Sequence, residues 1–225
     1  MKALLYKEFK LAMHPMCYLF IALFPLMILI PSYPIAIGFI YVLSCYPVLF
    51  LGANKGQQSN DLLFSTLLPV RKKDIVKARM FTVIIMQLAF ILITTALYPL
   101  ALFIQDALSA EEATNPGLGL NAYVSVLAIA IIGYSIADLI FFSVYYKHGK
   151  SIVGSTLLTI LGFVFYLGIF TIGLPYVPGM GWYNDIFAGE IWIQFIVLAV
   201  GLIIYSFMHL LVYKVSSKEL EQVDF

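Results

Sequence analysis

The sequence predicts an all-α integral membrane protein with six transmembrane helices, and three observations predict it. Hydrophobic residues make up 62% of the 225-residue chain and charged residues only 11%. A soluble domain carries roughly 25% charged residues, so this chain lacks the polar surface that water requires. Apolar runs of membrane-crossing length alternate with polar segments, and every Lys and Arg falls into alternate gaps between those runs. The same composition excludes disorder, and a formal net charge of +1 gives no basic field for nucleic acid. Six helices of about 20 residues use roughly 120 residues. The remaining 100 or so are too few for an attached catalytic domain of ordinary size. One membrane domain over 1–225 is the expectation.

The elements follow in chain order. Residues 1–15 read as an interfacial helix, with Leu5, Phe9 and Met13 on one face and Lys7 and Lys10 on another. His14-Pro15 breaks it and turns the chain into the first span, 16–31. A Pro31-Ser32-Tyr33-Pro34 corner leads to the second span, 35–53. Residues 54–79 form a polar loop, followed by a third span over 80–104. The fourth and fifth spans, 121–146 and 151–174, flank a short turn. Residues 175–190 are rich in Gly, Pro and aromatics, and the sixth span covers 191–213. Each run is long enough, with some tilt, for a hydrocarbon core of about 30 Å. The N-terminal segment is not read as a cleaved signal peptide, because Glu8 interrupts its basic region and no suitable cleavage site follows.

Charge sets the orientation. Lys2, Lys7 and Lys10 precede the first span, and Lys55, Arg71, Lys72, Lys73, Lys77 and Arg79 separate the second from the third. Lys147 and Lys150 lie between the fourth and fifth, and Lys214 and Lys218 follow the sixth. With six spans, all of them share one side, which the positive-inside rule makes cytoplasmic together with both termini. The other side carries Asp106, Glu111, Glu112, Asp185 and Glu190. Trp182 and Trp192 suit an aromatic belt there.

The loop between the second and third spans holds the most information. Ser59 or Asn60 can cap a short helix whose apolar face is Leu63, Phe64 and Leu67, and Pro69 ends it. A second helix begins with basic residues, pairs Asp74 with Lys77, and continues into the third span. Two readings stand: a membrane-surface helix with a snorkelling basic rim, or a docking helix for a cytosolic protein.

The run Asp61-Leu62-Leu63-Phe64-Ser65-Thr66-Leu67-Leu68-Pro69-Val70-Arg71, followed by Asp74-Ile75-Val76-Lys77-Ala78-Arg79, resembles the corresponding loop of ABC-2-type transporter permeases. Small six-span bacterial members, including the phenol-soluble modulin exporter permeases, share the pattern. The N-terminal Leu4-Leu5-Tyr6-Lys7-Glu8-Phe9-Lys10 resembles that family's elbow helix, and residues 175–190 sit where it places short re-entrant helices. The resemblance covers the whole chain in topology and is specific mainly in 57–79. It implies a permease subunit in a bacterial plasma membrane that pairs with a second copy or a homologous permease. Two separate cytosolic ABC ATPase subunits would bind beneath and carry ATP and Mg, with no cofactor on this chain. It further implies that Gln57, Asn60, Asp61, Leu63, Phe64, Leu67 and Arg71 contact the ATPase. Spans two and five of such permeases commonly face the central cavity, which places Tyr46, Phe163, Tyr166 and Phe170 on its wall; core or lipid-facing packing is the alternative. The implied activity is export of amphipathic or hydrophobic molecules, membrane-active peptides among them.

No feature marks an enzyme. Gly149-Lys150-Ser151 imitates the end of a Walker A motif, but Val144 stands where the motif needs glycine and a membrane helix replaces the required strand. His14, His148 and His209 are isolated, with no metal-ligand spacing, and Cys17 and Cys45 read as buried thiols. Asp138 lies roughly 12 Å deep in the fourth span, where a carboxylate costs about 2.5–3.5 kcal/mol on insertion scales, so it must face protein or water. Gln87 and His209 fall at comparable depth, and the three form a candidate intramembrane polar cluster. Inter-helix bonding, substrate contact and proton coupling are its possible roles. The rival functions are a non-transporting membrane anchor or sensor that recruits a cytosolic partner, and an intramembrane lipid-modifying enzyme.

Overall fold

The computed structural model describes residues 2–13, 15–30, 70–107, 122–148, 152–173, 177–179, 181–187 and 189–222. Among them every regular element is helical and none is a strand. The expected second span, the loop to residue 69 and Tyr46 lie outside the described residues.

Helix α1, Lys2–Lys7, runs into a π-helical turn over Glu8–Ala12. Helix α2, Pro15–Leu23, starts on a proline, whose fixed φ suits a first helical turn, and tightens into a 3-10 segment over Phe24–Leu29. The tightening begins at Phe24, beside Pro25, which cannot donate to the preceding turn. The Lys2–Lys10 and Pro15–Leu29 pieces meet at 80°.

Helix α3 spans Lys72–Ala107, so Lys72, Lys73, Lys77 and Arg79 are its first turns. Pro99 lies inside it without ending it. Helix α4 covers Tyr123–His148, and α5 covers Ile152–Gly168 with a π-helical extension over Ile169–Gly173. In the Gly/Pro-rich stretch, Gly179 turns the chain at φ 87°, a conformation that disfavours side chains, before the short helix α6, Gly181–Phe187. Helix α7 runs from Ile191 to Gln222, nine residues beyond the expected span, because nothing in Lys214–Gln222 breaks a helix. Helices α3, α4 and α7 are each long and apolar enough to cross a membrane, and the bent N-terminal pair makes a fourth if it counts as one span. Helix α5 alone is 17 residues, about 25 Å, and its extension brings it closer to the hydrocarbon thickness.

Helix α4 is the centre of the described bundle. Of its apolar window 72% is buried, against 44% for α3 and 17% for α7. It packs α7 on one side and α5 on another, while α3 packs against α7 and the first-span segment. The pairings Lys73–Glu221 and Gln87–Tyr205 make α3 and α7 antiparallel. Asp138–His209 and the Ala128–Gly201 approach make α4 and α7 parallel. The basic first turns of α3, Lys147 of α4 and Lys214 and Lys218 of α7 therefore share one end of the bundle.

Close packing on α4 depends on glycine. A Cβ on Gly133 would come within 2.7 Å of Phe163 Cε2 and 2.9 Å of Tyr166 Cε1. With no lipid-excluding hydrophobic drive between membrane helices, such fits hold them together. Gly133→Val is expected to cost about 1–3 kcal/mol by overpacking. Thermal unfolding in detergent checks it, against a neutral Gly168→Ala, where an added Cβ meets nothing within 4 Å.

Candidate functional site

Two clusters of buried ionisable and amide side chains lie at different depths in the bundle. The deeper layer is built by one residue from each of three helices, with a fourth beside them. Gln87 of α3 donates from Nε2 to both oxygens of Asp138 of α4, at 3.2 and 3.1 Å. His209 Nε2 of α7 lies 2.9 Å from Asp138 Oδ2. Tyr205, one turn before His209, donates its hydroxyl to Gln87 Oε1 at 2.8 Å. Asp138 and Gln87 are 1% and 2% exposed, so the layer is sealed by protein. The structure thus joins the three residues singled out in the sequence, with Asp138 between Gln87 and His209. Tyr205 was missed, although a phenol four residues before a buried histidine shares its helix face.

The geometry fixes the proton count of this layer. His209 Nδ1 is 2.8 Å from the backbone oxygen of Tyr205. A carbonyl only accepts, so Nδ1 carries a hydrogen. The Nε2–Oδ2 contact then needs a second proton, held by either partner. The His209–Asp138 pair is therefore net neutral, which suits its burial. Among the described residues no three His, Cys, Asp or Glu side chains converge as a metal site would require.

One apolar layer, Val83, Phe141 and Val212, all buried, separates this cluster from a second one nearer the basic end. There Arg79 of α3 is 2% exposed. Its Nε donates to Glu8 Oε2 at 3.1 Å, its Nη2 to Glu8 Oε1 at 3.4 Å and its Nη1 to the Tyr145 hydroxyl of α4 at 3.3 Å. Lys7 Nζ lies 3.6 Å from Glu8 Oε1. The sequence reading placed Arg79 in a cytosolic loop and gave Glu8 no partner. A signal was there: Arg79 sits between Val76 and Val83 at helical spacing on the buried face. Glu8 follows buried Leu4 by one turn.

Of the residues assigned to ATPase contact, Gln57, Asn60, Asp61, Leu63, Phe64 and Leu67 lie outside the described residues. Arg71 is exposed, immediately before α3. Of the expected cavity wall, Phe163 is fully buried and stacks on Tyr134 of α4 at 5.5 Å between centroids. The Tyr166 hydroxyl donates to the Ile129 carbonyl at 3.2 Å, and Phe170 leans on Tyr166 at 4.7 Å. Within one chain these aromatics pack α5 onto α4. Phe165, 71% exposed, points away from that contact.

The family model described as ABC-2 family transporter protein matches residues 3–218. No curated protein and no solved structure matches the chain.

Proposed function

The chain belongs to the ABC-2 family of transporter proteins, and from that premise we propose that it is the permease subunit of an ATP-driven exporter of amphipathic or hydrophobic molecules. ABC-2 permeases generally work with ABC ATPase partners. Here the ATPases are separate cytosolic chains that grip the 57–71 loop, and two permeases pair in a bacterial plasma membrane with their basic ends inward. The family match over nearly the whole chain carries this reading. The arrangement at the basic end supports it. Helix α3 begins directly after Arg71 and runs unbroken for 36 residues, so a force applied at the loop enters a rigid rod.

In this reading the Gln87–Asp138–His209–Tyr205 layer bonds three helices into one moving unit, and ATP supplies the work without a proton relay. Six spans, both termini cytoplasmic and a membrane-active peptide as substrate are parts of the same proposal, resting on charge distribution and on the loop motif.

Co-expression with a candidate ABC ATPase tests it, with purification through a tag on the permease. The unmodified chain is expected to retain the ATPase, and Leu63→Asp/Phe64→Asp to lose at least about tenfold of it, or roughly 1.4 kcal/mol of binding. Equal recovery of the ATPase with both proteins would remove the loop from the interface. A folded chain that retains no ATPase in either form would favour a sensor or anchor.

A further inference from the structure

Arg79 is the largest side chain that the described bundle buries completely, and its three nitrogens reach two different segments. Two go to Glu8 in the N-terminal segment and one to Tyr145 at the basic end of α4. The planar guanidinium fork matches a carboxylate at two points, which fixes direction as well as distance. Glu8 is 5% exposed, so water does not replace either partner in this arrangement. Exposed ion pairs slide and are screened. A buried one resists opening, because separation leaves desolvated charges with weaker partners.

The position of the pair in the chain gives this a mechanical meaning. Arg79 lies about two helical turns beyond Arg71, where the loop ends and α3 begins. Glu8 lies on the other side of an 80° bend from α2. The N-terminal segment is held on one face, by buried Leu4, Glu8 and Met13, while Tyr6 on another face is 59% exposed. The Tyr18 hydroxyl of α2 donates to the Phe9 carbonyl at 2.8 Å, tying the segment to the first span. The Arg79–Glu8 contact therefore links the start of α3 to the N-terminal segment, beside the direct packing of α3 on the first span.

We propose that the buried Glu8–Arg79 pair is a transmission joint, which makes the N-terminal segment and the loop end of α3 move as one body and so carries loop movement to the first span. Glu8 and Arg79 are positioning residues of transport. The transport part of the proposal rests on the permease reading above; the rigid joint itself does not.

The test uses the full chain in lipid nanodiscs, with Cys17 and Cys45 replaced by alanine and spin labels at Ala3 and Lys73. Lys73 is 52% exposed, and both positions avoid the pair. The unmodified pair is expected to give one narrow label distance. Glu8→Gln and Arg79→Gln are expected to broaden it, and the exchange Glu8→Arg/Arg79→Glu to narrow it again. With the ATPase bound, the single variants are expected to lower transport per ATP hydrolysed by about fivefold or more, the lower end of ordinary coupling between sites. The exchange variant is expected to recover it. A narrow distance in Arg79→Gln would overturn the joint. Broad distances with unchanged transport per ATP would overturn its role in transmission. The label distances need only this chain, so a wild-type complex that never transports counts against the permease reading instead.

Discussion

Asp138→Leu is expected to destabilise the isolated chain by about 3–5 kcal/mol, the cost of breaking a buried pair by removing one partner. The carboxylate accepts from Gln87 at two oxygens and faces His209 at 2.9 Å. Leucine offers none of the three an acceptor. Polar contacts between membrane helices average only ~0.6 kcal/mol each. Three lost contacts thus account for about 2 kcal/mol, and the rest is the cost of the desolvated donors left without an acceptor. Unfolding of the detergent-solubilised chain measures the total. A loss near 2 kcal/mol would place the shared proton on Asp138 and leave no ion pair to break. Asp138→Asn separates structure from proton chemistry. Asparagine can accept from Gln87 through its oxygen and donate through its nitrogen to an unprotonated His209 Nε2, since His209 Nδ1 keeps its hydrogen on the Tyr205 carbonyl. This variant is expected to fold and to retain transport. If it folds like the wild type but transports nothing, the layer carries a proton and the bonding role is insufficient.

Glu8→Met is expected to cost about 3–5 kcal/mol, and Arg79→Met less. The two partners are not equivalent. Without Glu8, the guanidinium of Arg79 stays buried and loses the carboxylate that accepts from two of its nitrogens. Without Arg79, the carboxylate of Glu8 still has Lys7 Nζ at 3.6 Å. Glu8→Met/Arg79→Met is expected to be neutral or stabilising, because apolar residues of similar volume remove the desolvation penalty together with the attraction. A double-mutant cycle on unfolding free energies gives the coupling directly. Equal single losses that simply add in the double variant would show that the two side chains do not act as a pair.

Several parts of this protein were legible in the sequence. The helical class, the long runs at α3, α4 and α7, and the clustering of the basic residues at one end follow from composition and charge. So did the transporter family, through the Leu68-Pro69-Val70-Arg71 loop and the elbow-like N-terminus, in agreement with the match over 3–218. The meeting of Gln87, Asp138 and His209 could be anticipated because polar groups at equal depth in an apolar medium must find one another. Tyr205 and the Glu8–Arg79 pair could not be placed in the same way. A basic residue near the membrane surface reads equally as a snorkelling rim or a buried partner, and only the docking of the N-terminal segment on α3 decides which.

The aromatics of α5 show the limit from the other side. Phe163 and Phe165 are two residues apart and chemically identical, yet one is fully buried and the other 71% exposed. By itself the sequence determined which segments are apolar helices, which end carries the positive charge and to which family the chain belongs. The tertiary structure alone decided which faces touch, and hence that Arg79 is locked, that α4 is central and that Gly133 receives two aromatic rings. The reason is physical. Lipid and protein interior are equally apolar, so in a membrane hydrophobicity marks where a segment lies but not which way it faces.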